Sequence, residues 1–164
     1  MKKATINTKK LEQIMYNNGY ICIDSKYIIK SELVQLDDTL LQDKVNKDEA
    51  FYFNTFNKSF ETPPNLLDII PTDLTTYNKL ESTELYTDIF KTKADIFYNK
   101  ETKRFVYFNA DYLKIFKDTG EKLNLLQHNK LSPALVIDAN LTCLFLVMPM
   151  EHRESYLNQF EYIV

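Results

Sequence analysis

Few side chains in this chain of 164 residues have the chemistry to act on a substrate or to hold a metal. The histidines are His128 and His152, and the cysteines are Cys22 and Cys143. Metal sites gather His, Cys or carboxylate side chains at short spacing. Within four residues His128 has no such neighbour, and His152 has only Glu151 and Glu154. Both are expected to be surface histidines, with no metal bound. A Cys–His nucleophile pair from Cys143 and His128 is not expected, because Cys143 lies in the apolar run Leu141–Val147, which buries its thiol. Cys22 sits in a similar run, and both cysteines read as reduced core residues of a cytoplasmic protein.

The adjacent carboxylates Asp37 and Asp38 have the form of an acid–base pair. Their surroundings, Asp37–Glu49, read as a solvated acidic loop or a loose surface helix anchored by Leu40, Leu41 and Val45. The glycines, Gly19 and Gly120, are too far apart for a glycine-rich phosphate loop. No catalytic residue and no cofactor is expected, and the chain reads as non-enzymatic.

These residues sit in an ordinary globular composition, 45% apolar and 26% charged, with 11 Tyr, 11 Phe and no Trp. The length suits one domain with a real core. The net charge of −3 is unevenly spread. Residues 1–30 and 91–130 are basic, residues 31–90 strongly acidic, and residues 131–164 mildly acidic. A local basic face is permitted, but the chain as a whole is not a generic nucleic-acid binder. No apolar run is long enough to span a membrane, and the first residues lack the apolar core of a signal peptide.

The periodicity predicts a short helix over Thr8–Asn18, with Leu11, Ile14 and Met15 on one face and Asn17-Asn18-Gly19 as its stop. Strands are expected at Tyr20–Ile23, Tyr27–Leu36 and Ala50–Phe56, the last with Phe51 and Phe53 on one face and Tyr52 and Asn54 on the other. Ser82–Phe90 reads as a helix with Leu85, Ile89 and Phe90 inward. Asp95–Tyr98 and Arg104–Phe108 read as strands around a turn. A second helix is expected over Ala110–Lys117, capped by Asn109 and ended by Gly120, followed by strands Leu123–Gln127, Ala134–Ile137 and Cys143–Met148.

Three phrases near the end occur in a fixed order: Phe108-Asn109-Ala110-Asp111-Tyr112-Leu113, then Leu131-Ser132-Pro133-Ala134-Leu135-Val136-Ile137, then Leu146-Val147-Met148-Pro149-Met150. Together they resemble the closing segment of the bacterial DNA polymerase sliding clamp family. Pro63-Pro64-Asn65-Leu66-Leu67-Asp68-Ile69-Ile70-Pro71 is similar to the phrase on which clamp domains end. A faint internal repeat aligns Ile6–Ile14 with Phe108–Phe116.

The resemblance implies an α+β protein with the DNA-clamp, or processivity-factor, fold: two β-α-β-β-β halves forming one domain. It places a single clamp-like domain at 1–150, with halves at about 1–72 and 95–150, a connector at 73–94, and a C-terminal extension at 151–164. It implies a sliding-clamp-like factor of replication or of a phage or other mobile element, which assembles as a homo-oligomer around duplex DNA or engages DNA-processing proteins. The alternative is a clamp-domain mimic that binds and inhibits a host complex, which the acidic middle suits.

In this family the helices face DNA without reading sequence, which assigns Lys9, Lys10, Lys114 and Lys117 to phosphates. The other reading of those lysines is solubility on an exposed helix face. The residues Leu146, Val147, Met148, Pro149 and Met150 match a family pocket that captures short peptides, or else form a core strand. Within the extension, Gln159, Phe160 and Tyr162 are loosely like the peptides that clamps capture. The alternative for this segment is an edge strand or a packed C-terminal helix.

Overall fold

The fold is a computed structural model in which residues 2–150 are described. It is mixed α+β, with mostly antiparallel sheet and few helices. In chain order the elements are β1 (Ala4–Ile6), β2 (Gln13–Asn17), β3 (Tyr20–Ile23), β4 (Tyr27–Lys30), β5 (Val34–Leu36), α1 (Thr39–Asn46), β6 (Phe51–Asn54) and β7 (Ser59–Glu61). There follow β8 (Asn78–Lys79), β9 (Glu81–Ile89), β10 (Thr92–Asn99), β11 (Arg104–Asn109), α2 (Ala110–Lys117), β12 (Leu126–Gln127), β13 (Ala134–Ile137) and β14 (Cys143–Val147).

Nine strands form one sheet in the order β7-β6-β2-β3-β4-β14-β13-β12-β8, in which β14 pairs antiparallel with β4. The N-terminal and C-terminal strands therefore share one surface. A second sheet has the order β11-β10-β9, and β1 pairs parallel with β5. Side-chain alternation divides the large sheet into two faces. Ile14, Ile21, Ile29, Val136 and Phe145 face α2, α1 and the inner side of β10 and β11, where Leu113, Phe116, Leu41, Phe97 and Phe108 complete the main core. Met15, Cys22, Ile28, Leu135 and Leu146 face the other way. They are covered by residues 62–77, a strap that carries Leu66, Ile70, Leu74 and Tyr77 across the sheet.

The expected second helix is present with its bounds and its cap. Asn109 Oδ1 accepts from the Asp111 amide at 2.9 Å, and Gly120 follows in the left-handed region at φ +83°. This half runs strand, helix, three strands (β11-α2-β12-β13-β14). The first half differs. No helix forms over Thr8–Asn18: residues 7–12 make a turn, and Gln13–Asn17 is the interior strand β2. Asn18 and Gly19 have φ of +51° and +80°, the two left-handed residues of a tight hairpin turn. The same Asn-Gly that resembles a helix stop joins β2 to β3, and pairing on both sides outweighs the helical spacing of Leu11, Ile14 and Met15.

The expected helix over Ser82–Phe90 is also a strand, β9. Ile89 is buried, whereas Leu85 and Phe90 are exposed. The hairpin turn after β9 is made by Phe90 and Lys91, both left-handed without glycine, so the usual sequence signal is missing. Residues 73–94, expected as a connector, thus hold β8, β9 and the start of β10. The strand expected at Leu123–Gln127 shrinks to Leu126–Gln127, and that expected at Tyr27–Leu36 is split by a 3-10 turn at Ser31–Leu33.

Candidate functional site: an apolar cleft beside the last strand

The carboxylates first considered for chemistry are committed to the backbone. Asp37 Oδ1 accepts from the Thr8 amide at 2.9 Å and the Thr8 hydroxyl at 2.6 Å, and the hydroxyl bond is the main reason its pKa is lowered. Asp38 Oδ1 accepts from the Leu41 amide at 3.1 Å and caps α1. His128 Nδ1 lies 2.8 Å from the Thr76 hydroxyl, and its ring packs 5.8 Å from that of Tyr77. It fastens the end of the strap. Among the described residues no group of three His, Cys, Asp or Glu is placed to hold a metal ion. No helix among them is long and apolar enough to cross a membrane.

Cys22 and Cys143 are free and buried. They lie on β3 and β14, with β4 between. Two strand spacings, roughly 10 Å, are beyond disulfide reach. Burial pushes the Cys22 thiol up to about 11 and the Cys143 thiol up to about 12, so both stay protonated and weakly nucleophilic at neutral pH.

Of the lysines assigned to DNA, Lys114 and Lys117 lie on α2 as expected, whereas Lys9 and Lys10 lie on no helix. Lys9 and Lys10 are exposed on the turn between β1 and β2. Lys114 pairs with Asp118 at 2.9 Å, and Lys117 with Asp95 at 3.6 Å. Lys9 borders a groove of about 460 Å³ with Leu40, Phe53, Lys58 and Phe60, whereas Lys117 borders a different hollow with Glu84, Lys93 and Asp95.

The closing phrase is brought together more coherently. On β14, Leu146 faces the strap side, and Val147 faces the main core and is fully buried. The Met148 amide donates to the Lys26 carbonyl at 2.9 Å, which sets Met148 against the β3–β4 turn. Leu146 and Met148 then line a cleft of about 120 Å³ with Met15, Cys22, Ile28, Pro64 and Ile69, with Ser25 and Lys26 also in its lining. The walls are almost wholly apolar. Met148 is 37% exposed and Ile69 49%, so the cleft opens to solvent. Pro149 and Met150 border an adjoining hollow with Lys26, Asn109 and Tyr112. Gln159, Phe160 and Tyr162 lie outside the described residues.

Met15, Cys22 and Ile28 carry no sequence signal for the cleft: Met15 has helical spacing with Leu11, and β3 meets β14 only through β4. Pro64 and Ile69 belong to a distinctive phrase, but nothing in it marks them as a wall of the cleft.

Among the described residues, two of the sheet edges expose large apolar side chains. The edge at β7 and its turn exposes Phe56 and Phe60 beside Lys58. The edge at β9 exposes Leu85, Tyr86 and Phe90 among Glu84 and Asp88.

No known protein family matches the chain, and neither does any curated protein or solved structure.

Proposed function

We propose that the chain is a non-enzymatic, cytoplasmic protein of sliding-clamp-like build that engages DNA-processing proteins by capturing a short apolar segment in the cleft beside β14. The observation that carries this reading is the convergence of Leu146 and Met148 on that cleft. These are residues that the sequence resemblance assigns to peptide capture. The strand-helix-three-strand order of the second half supports the clamp-like build.

An apolar cavity of roughly 150 Å³ takes up benzene. A cleft of about 120 Å³ suits one leucine- or methionine-sized side chain. Methionine walls adapt to different guests, which fits capture of several partners. Lys26 at the rim favours an acidic residue next to the apolar anchor. In clamps a neighbouring domain completes the pocket; in this chain Pro64 and Ile69 of the strap line the cleft.

The test is fluorescence anisotropy with a labelled peptide carrying glutamine followed by spaced leucine and phenylalanine. Saturable binding that Met148→Glu abolishes supports the reading. Absent binding, or binding indifferent to Met148→Glu, sinks it.

A second reading, assembly of copies around duplex DNA, is favoured by one observation. The β7 and β9 edges both expose apolar side chains, Phe56 and Phe60 on one and Leu85, Tyr86 and Phe90 on the other, which a head-to-tail contact between copies would bury. The ion pairs of Lys114 and Lys117 weigh against a DNA-lined bore. Light scattering on a sizing column separates the two. A closed oligomer favours assembly around DNA. A monomer favours the adaptor, or a mimic that caps a host complex.

A further inference from the structure

The outer wall of the cleft is not part of any sheet. It is the first part of the strap, where Pro64 and Ile69 flank a 3-10 turn at Leu66–Asp68. Prolines at 63, 64 and 71 restrict its backbone. Leu66, fully buried, is its deepest anchor.

Beside that anchor the strap is tied to the tip of the β2–β3 hairpin by two side-chain amides. Asn17 Nδ2 donates to the Pro64 carbonyl at 3.0 Å, and Asn18 Nδ2 donates to Asn65 Oδ1 at 2.6 Å. Asn65 Oδ1 also accepts from the Leu67 amide at 3.1 Å, so one oxygen serves the tie and the turn. Both ties are exposed to solvent, where water competes for them. The strap meanwhile leaves Leu67 and Ile69 about half exposed, and Ile69 faces the cleft.

We infer that Asn17 and Asn18 form a latch that sets the width of the cleft, and that the strap swings at this latch to admit the apolar side chain of a partner. A bound guest covers Ile69 and Met148, and that burial holds the strap closed over it. The inference rests on the reading of the cleft as the binding site, but the latch is testable with no partner present.

Cys22 lines the cleft and Cys143 does not, although both lie on the strap side of the sheet. The rate at which a small thiol reagent modifies each cysteine, read by peptide mass mapping, separates local opening of the strap from general unfolding. The full chain is compared with Asn17→Ala/Asn18→Gly. Glycine keeps the left-handed turn that alanine would strain.

The expected result is a roughly tenfold faster modification of Cys22, the loss of two modest hydrogen bonds, with Cys143 unchanged. An unchanged Cys22 rate overturns the latch, and so does equal acceleration of both cysteines. Asn65→Asp tests it in the opposite direction. Its carboxylate still accepts both hydrogen bonds, now charge-assisted, and should slow Cys22 modification about threefold. No slowing also counts against the latch. Faster Cys22 modification in a chain that binds no peptide keeps the latch and removes the peptide-capture function.

Discussion

The Tyr20 hydroxyl donates a hydrogen bond to the Cys143 carbonyl at 2.7 Å, reaching from β3 to the first residue of β14. The two strands are separated by β4, so the bond closes the sheet over a strand that is not party to it. Tyr20→Phe leaves a buried carbonyl short of a partner and should cost about 1–2 kcal/mol. Urea unfolding checks this as a lower midpoint with an unchanged slope. An unchanged midpoint would mean that the tie contributes nothing to stability.

Two tyrosines should make the fold sensitive to alkali. Tyr16 and Tyr20 are raised from 10.0 to about 12, mainly by burial. For Tyr16 the hydrogen bond to Asp48 and its negative charge add to the effect. Their folded values exceed the unfolded one, so the native state keeps protons that the unfolded chain releases. Stability is therefore unaffected by these groups below pH 10.0 and falls as pH rises towards about 12. The slope reports the proton that each tyrosine keeps in the native state and releases on unfolding. Equilibrium unfolding in that window, with phenolate absorbance alongside, is the measurement. Ordinary titration of every tyrosine near pH 10 would refute it.

The second helix offers two changes of different size. Asn109→Ala removes the cap on the Asp111 amide and should cost about 1 kcal/mol. Phe116 is fully buried and stacks on Phe145 at 5.0 Å, so Phe116→Ala should cost about 3–5 kcal/mol. Denaturant titration of both ranks them. A larger loss from the cap would mean that α2 does not pack as described.

The basic residues differ in how committed they already are. Lys114 and Lys117 hold exposed ion pairs with Asp118 and Asp95, and neutralising them should change stability by less than about 1 kcal/mol. In the DNA-binding reading, Lys9→Gln/Lys10→Gln should lower the salt dependence of duplex binding more than Lys114→Gln/Lys117→Gln. Retention on duplex DNA across a salt series decides it, and the reverse order would restore the helix-lined bore.

The parts of the fold legible in the sequence are those where local and long-range signals agree. At Asn109–Lys117 the cap, the apolar spacing and the glycine end all favour one helix, and it forms. At Phe51–Asn54 the alternation places Phe51 and Phe53 on the main core and Tyr52 on the strap side, as expected. The failures come where tertiary pairing overrides local pattern. Gln13–Asn17 has helical spacing, yet it is held between β3 and β6. Ser82–Phe90 has helical spacing, yet it forms a strand whose hairpin turn uses Phe90 and Lys91, neither of them a usual left-handed residue. The cleft was half legible. Leu146 and Met148 stood out by their phrase, but Cys22 and Ile28 join them only through the order of strands, which no short motif encodes.

The pairing of Ile29 with Phe145 also orders events in time. On a ribosome, β2, β3 and β4 can form their hairpins early, since those contacts are local. The far side of β4 then waits, an unfilled template of backbone donors and acceptors, until almost the whole described chain has been made. During that interval the nascent chain is most open to pairing with the wrong strand, its own or a neighbour's.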